Sequence, residues 1–220
     1  MDAAGTGLLD LLRRSPLASQ PPLAIVVNVA VFAAFVLVAA AVVADFRSYY
    51  RQDRSVVRSD RSLVETGSMT AFFVVYYLVI RFRVLQLSLD GRVTSALVAA
   101  GLLLVVAGAV FNVWGRVRLG SHWANQIKIY EGHRLVTDGP YSVVRHPLYA
   151  SLVWIFIGGS MIYTNPLSLA LTLGVFVPMM YIRAKKEDAL LLANFNREFE
   201  EYRGRTGMLF PKMWGRSWRT

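Results

Sequence analysis

Cysteine is absent from the sequence, which removes disulfides, thiolate zinc sites and a cysteine nucleophile. Charge is scarce too: charged residues make up 17% of the 220, against about a quarter in an ordinary soluble domain. Acids are the scarcer sign, 14 against 24 bases, leaving a formal charge of +10. No internal repeat or low-complexity stretch divides the chain, which reads as a single domain, 1–220. What is there in quantity is apolar: 55% of the residues, with a mean hydropathy of +0.43. That balance belongs in a bilayer rather than in water.

Five apolar runs predict an all-α polytopic bundle. Leu23 to Ala44 is long enough, at about 1.5 Å per residue, to cross a core of about 30 Å. It exceeds a signal peptide's apolar region and reads as an anchor. Met69 to Ile80 reaches membrane thickness if the helix continues toward Leu89 with Arg81 and Arg83 snorkelling. Val93 to Trp114 opens after the turn signal Asp90-Gly91. Leu148 to Tyr163 and Leu167 to Ile182 flank Thr164-Asn165-Pro166, a connection short enough to demand an antiparallel hairpin over 148–182. Pro178 is expected to kink its second arm. Beyond it, Leu191, Phe195, Phe199 and Tyr202 recur at helical spacing among polar residues and predict an amphipathic helix, ended by Gly204 and Gly207.

The positive charge is explained by this arrangement. Five crossings put the connector at 45–68, the connector at 115–147 and the C-terminal tail on one side, where nineteen of the 24 Lys and Arg fall. The positive-inside rule then predicts an integral inner-membrane (plasma-membrane) protein with its N-terminus outside and its C-terminus in the cytoplasm. Nucleic acid is not needed to account for the bases.

Chemistry-bearing residues concentrate in the central connector. All three histidines, His122, His133 and His146, lie there, at spacings that match no metal-ligand pattern, and no metal is expected. Arg145-His146-Pro147 opens the fourth run, where Pro147 suits a first helical turn and the two preceding side chains can donate to an anionic or polar ligand at a positive dipole end. Asp138-Gly139-Pro140-Tyr141 is a turn signal. It either reverses the chain or lets Gly139 bring the backbone close to a ligand, with Tyr141 and Tyr149 as aromatic faces for a cation. Arg183 and Glu187, one helical turn apart, form either a surface ion pair or a holder for a charged ligand.

The order of "HRLVTDGPYSVVRHPLYASL", an apolar hairpin and "RAKKEDALLLANFNREFEEYRGRTGMLFP" resembles the isoprenylcysteine carboxyl methyltransferase family and its phospholipid methyltransferase relatives, over about residues 115 to 211. The resemblance implies a cytosolic S-adenosyl-L-methionine pocket lined by His133, Leu135, Val136, Gly139, Tyr141, His146, Pro147, Tyr149 and Glu187, behind an N-terminal anchor region, 23–114. Arg183, Glu187 and Arg145 would stand nearest the chemistry. It also implies a lipidic or isoprenoid acceptor drawn from the membrane, favouring the carboxylate of a prenylcysteine-like compound. The family commonly shows two adjacent acids where this chain is read as Lys186-Glu187, and a Phe-Gly pair where it has Phe195-Asn196.

Methyl transfer from a sulfonium to a carboxylate neutralises opposite charges, so a water-poor site lowers its barrier and no general base is required. An amine acceptor, as in a phospholipid headgroup, would have to lose a proton, making Glu187 or His146 a candidate base. A nicotinamide-dependent membrane reductase of the sterol reductase type and a non-catalytic scaffold binding anionic lipid are the readings from other classes.

Overall fold

The computed structural model describes residues 21–50, 56–60, 63–120, 127–130 and 135–212. Its order is α1 (Pro21–Tyr50), β1 (Val56–Asp60), α2 (Leu63–Arg81), α3 (Gly91–Leu119), β2 (Ile127–Tyr130), a 3₁₀ turn (Gly139–Ser142), α4 (Pro147–Ile162), α5 (Pro166–Leu171), a π turn (Thr172–Phe176) and α6 (Val177–Arg205). The architecture is an all-α membrane bundle carrying one short two-stranded antiparallel ribbon, β1 with β2.

Three helical stretches are long and apolar enough to cross a membrane, Ile25–Ala44, Gly91–Leu119 and Pro166–Arg205, and two shorter apolar helices, Gly67–Arg81 and Pro147–Ile162, accompany them. Their outward faces are apolar, with Phe35 71% and Leu103 70% exposed. Such surface is stable only against lipid, which makes this an integral membrane protein.

Two sets of contacts sort the loops to opposite ends of the bundle. The β1–β2 pairing joins the first connector to the central one. At the other end the α2–α3 loop is tied to the α4–α5 turn: Leu87 N donates to Thr164 O, Thr164 Oγ1 to Leu87 O, and Asn165 Nδ2 to Val84 O. These bonds also explain a departure from the sequence expectation. Instead of running toward Leu89, α2 stops at Arg81, and Arg83 and Leu85 take positive φ values of 54° and 55°. The turn is held from outside by the Thr164-Asn165 pair, a long-range partner that local periodicity does not reveal.

Small residues let α3 and α4 pack backbone to backbone. A Cβ on Gly101 would lie 2.5 Å from the Gly158 carbonyl oxygen, and one on Gly158 equally close to that of Gly101. Gly108 repeats the approach one heptad later, where a Cβ would meet Ser151 O at 2.9 Å, and Gly115 does so against Leu148. In lipid, where burying apolar surface gains little, such close van der Waals contact is a main source of helix association.

At Pro178, where a kink is expected, the structure has a widened turn just before the proline, in which Val177 N bonds to Thr172 O, five residues back. Proline offers no N–H and crowds the carbonyl four residues earlier, and the π turn accommodates both defects. Farther along α6, Asn196 adopts φ 44° and ψ −116°, a conformation that glycine tolerates and most side chains do not. This is where the family resemblance set Phe195-Asn196 against Phe-Gly. Asn196→Gly is expected to preserve or raise the melting temperature and Asn196→Ala to cost about 1 kcal/mol. An alanine variant as stable as wild type in detergent melting would show that the strained backbone is not maintained.

Candidate active site

The connector re-enters order at Leu135, and Asp138 leads into the 3₁₀ turn with Gly139 at φ +57°. A Cβ on Gly139 would stand 3.1 Å from Arg118 Cγ and Nε, and Arg118 in turn pairs with Asp138 at 2.5 Å. Glycine is therefore required for the approach of the backbone to α3. Leu135, Val136 and Tyr141 pack with Leu191, Leu192, Phe195, Phe199 and Tyr202 of α6, so the amphipathic face seen in sequence is the one that holds the connector. Tyr202 Oη donates to the Tyr141 carbonyl at 2.7 Å.

His146 caps α4 through its backbone, its carbonyl accepting from Tyr149 N and Ala150 N, while Pro147 supplies the first helical residue. Its side chain, 4% exposed, is bracketed by consecutive acids of α6: Nδ1 meets Glu187 Oε2 at 3.2 Å and Nε2 meets Asp188 Oδ1 at 2.7 Å. Burial alone would depress its pKa, but the two carboxylates outweigh burial and raise it to about 9, so His146 is an imidazolium at neutral pH. The same contacts hold Glu187 and Asp188 below the usual carboxylate range against the opposing effect of burial, with further help from Tyr149 and Arg183 for Glu187 and from Arg145 for Asp188.

Arg145 is engaged on the far side of Asp188. Its Nη2 bonds Asp188 Oδ2 at 2.9 Å with both side chains more than nine-tenths buried, and Nη1 donates to the carbonyls of Thr206 and Arg203. Backbone bonds from Arg145 N to Gly207 O and from His146 N to Met208 O dock the C-terminal segment beside the connector. Gly207 is obligatory there, because a Cβ would overlap Phe210 O at 1.8 Å.

Arg183 points the other way. Its Nε donates to Tyr149 Oη at 3.0 Å, its Cζ lies 5.7 Å from the Tyr149 ring centroid, and Nη1 reaches Met69 Sδ on α2. The Tyr149 ring also stacks on His146, with centroids 5.6 Å apart. Next to this cluster an apolar groove of about 430 Å³ runs between Val177, Pro178 and Tyr181 of α6 and Met208, Leu209 and Phe210.

The structure thus gathers His146, Pro147, Tyr149, Arg183 and Glu187 at one end of the bundle, with Tyr141, Leu135, Val136 and Gly139 on the adjoining connector. His133 lies outside the described residues. Asp188 was missed by sequence reasoning, which paired Glu187 with Lys186. The adjacent acids are Glu187-Asp188, a pair that stands in the sequence one residue beyond the one considered. Among the described residues no group of three or more His, Asp or Glu side chains is arranged to hold a metal ion.

Comparison with known proteins bears on the same elements. Residues 100–193, from α3 to the acid pair and one turn beyond, match the sequence profile of the isoprenylcysteine carboxyl methyltransferase (ICMT) family. Over this segment the chain is similar to the ICMT family. Among curated proteins it is 34% identical over 126 residues to the nickel-cobalt-cadmium resistance protein NccN of Alcaligenes xylosoxydans xylosoxydans, covering 56% of this chain and 54% of that protein. It is 30% identical over 120 residues to the protein-S-isoprenylcysteine O-methyltransferase of Saccharomyces cerevisiae, covering 54% and 50%. The chain therefore spans about half the length of the curated relatives it matches. The solved structure of a eukaryotic intramembrane Ras methyltransferase, ICMT, superimposes with a TM-score of 0.52 at 24% identity, over 69% of this chain and 53% of that one, and shares the fold. The ICMT segment excludes α1 and α2 and stops short of the C-terminal segment that Arg145 clamps.

Proposed function

We propose that the protein is a membrane methyltransferase that uses S-adenosyl-L-methionine to methylate the carboxylate of a prenylcysteine-like or other lipidic acceptor. The observation that carries this reading is the Glu187–His146–Asp188 bracket lying beside an apolar groove within the segment of family likeness. The residues present fit the donor. Glu187, its side chain 34% exposed, supplies an anion at the edge of a water-poor cluster, and the Leu135–Val136–Tyr141 stretch supplies an apolar wall. When bound, S-adenosylmethionine supplies an activated methyl group on a positively charged sulfur.

This chain's own part in the reaction is positional and electrostatic. The imidazolium of His146 is tied at both nitrogens, so it fixes the Glu187 carboxylate instead of exchanging protons. Arg183, bonded to Tyr149 where that ring stacks on His146, is the cation we assign to an acceptor carboxylate, and the apolar groove is the surface we assign to its hydrocarbon tail. Arg145, spent on Asp188, Thr206 and Arg203, keeps the C-terminal wall of the groove in place. We assign residues 115–211 to the cofactor-binding unit, and the loop-charge asymmetry supports a cytoplasmic site with the N-terminus outside.

Calorimetric titration of the detergent-purified chain with S-adenosylhomocysteine tests the reading, with NADPH as control. Binding is expected for wild type and a loss of about tenfold or more for Glu187→Gln, the deficit of one charge-assisted contact. Binding of NADPH in place of S-adenosylhomocysteine would overturn it in favour of a reductase. Because the relatives bear both methyltransferase and metal-resistance names, labelled methyl transfer should be followed to farnesylated thiol carboxylates, fatty acids and phosphatidylethanolamine in parallel.

A further inference from the structure

The α2–α3 loop, at the end of the bundle away from His146, carries an exposed apolar patch: Phe82 is 69% and Leu85 66% exposed, with Val84, Leu87 and Leu89 exposed beside them. A loop that faces water does not ordinarily present such a surface. Its backbone is equally unlike that of a loop in water. Of the six amide N–H groups from Phe82 to Leu87, five donate to main-chain carbonyls, those of Leu78, Ile80, Val79, Arg83 and Thr164. The carbonyls of Val84 and Leu87 accept from Asn165 Nδ2 and Thr164 Oγ1. Internal satisfaction of this kind is what a segment needs where lipid displaces water.

Helix length points the same way. Gly67–Arg81 of α2 and Pro147–Ile162, which is α4, are the shorter apolar helices of the bundle. At about 1.5 Å per residue each covers less than about 25 Å, short of a hydrocarbon core of about 30 Å. Both end here, since the loop after α2 is bonded to the turn after α4. The exposed side chains of Phe82, Val84, Leu85 and Leu87 supply apolar surface where the two helices run out.

Arg83 occupies a position where glycine is usual. Val84 N bonds to Val79 O and Arg83 N to Ile80 O, the pair of bonds that closes a helix over a left-handed residue, and Arg83 is that residue at φ 54°. Glycine would relieve the conformation, so the chain keeps a side chain here against a backbone cost. That side chain is exposed, between Arg81 in the last turn of α2 and Arg92 in the first turn of α3. The loop's one acid, Asp90, is turned to the backbone, where it accepts from Arg92 N at 2.9 Å. We infer that residues 81–92 lie in the bilayer interface and bind anionic phospholipid, with Arg81, Arg83 and Arg92 on headgroup phosphates and Phe82 and Leu85 among the acyl chains. A guanidinium fork matches phosphate in geometry and charge, and the long arginine stem lets it reach the headgroups from apolar depth.

The absence of cysteine makes the depth of the loop measurable in the full chain. Leu85→Cys carrying a nitroxide, in vesicles of phosphatidylcholine and phosphatidylglycerol, is expected to collide with oxygen more than with a water-soluble nickel chelate. Leu103→Cys, in the apolar body of α3, gives the bilayer reference. A Leu85 label that meets the chelate more than oxygen overturns the placement. Lipid choice is read by native mass spectrometry of the detergent-purified chain offered both lipids. Arg83→Gly should melt no lower than wild type, because it relaxes the backbone, yet lose about fivefold of the preference for phosphatidylglycerol, the share of one arginine near an anionic surface. Changing Arg81, Arg83 and Arg92 together to Gln should lower that preference further. A wild type that favours neither lipid overturns the site, and so does a preference that survives the triple change, which would then belong to the bases at the other end of the bundle.

Discussion

Asp188→Ala is expected to cost about 3–5 kcal/mol, seen as a large fall in melting temperature in detergent, because it leaves one buried charge without its partner. Arg145 would keep only the Thr206 and Arg203 carbonyls, and His146 only Glu187. The wild-type pH profile should report the same cluster. The His146 pKa is raised, so its contribution is complete below about 6.5, the ordinary histidine value, and is lost as pH rises through about 9. Glu187 and Asp188 are depressed, so theirs is complete above the ordinary carboxylate range of about 4 and fades as pH falls through their lower folded values. Stability should therefore be greatest between about pH 5 and 6.5 and decline toward alkaline pH, and His146→Gln should abolish the alkaline decline. A flat wild-type profile from pH 6.5 to about 9.5 would mean that the bracket contributes nothing.

Gly158→Val is expected to be nearly as damaging, at about 3 kcal/mol, the upper end of the usual overpacking cost. The added Cβ would stand 2.5 Å from the Gly101 carbonyl oxygen, an atom of helix backbone that cannot turn aside. The helices must separate, which also moves α3 relative to the start of α4 and so disturbs the connector between them. Gly67→Ala is the control: nothing lies within 4 Å of its Cβ position, and alanine there should be neutral or mildly stabilising. Gel filtration and melting in detergent distinguish the two. A monodisperse Gly158→Val protein with unchanged melting would show that α3 and α4 do not need this contact.

Much of the scaffold could be read along the chain because the bilayer demands long, uniformly apolar helices, and such runs advertise themselves. The stretches Leu23–Ala44, Val93–Trp114, Leu148–Tyr163 and the hairpin turn at Thr164-Asn165 all lie within or beside the helices and turn of the structure. The face of α6 formed by Leu191, Phe195, Phe199 and Tyr202 was visible as periodicity, although not what it would cover.

Pairing was invisible in the same stretch of text. Arg145 and Asp188 are 43 residues apart, and Asn112 and Ser151 are 39 apart, separations at which no local pattern signals contact. Sequence alone established the solvent, the helices and the crowding of reactive residues into the connector and the start of α6, because hydrophobicity and turn chemistry act through near neighbours. Only the tertiary structure decided that Arg145 turns inward to Asp188 while Glu187 remains at the edge of the site. Which of two adjacent carboxylates is buried depends on what α4 and the C-terminal segment place against them, and that is a property of the packed bundle.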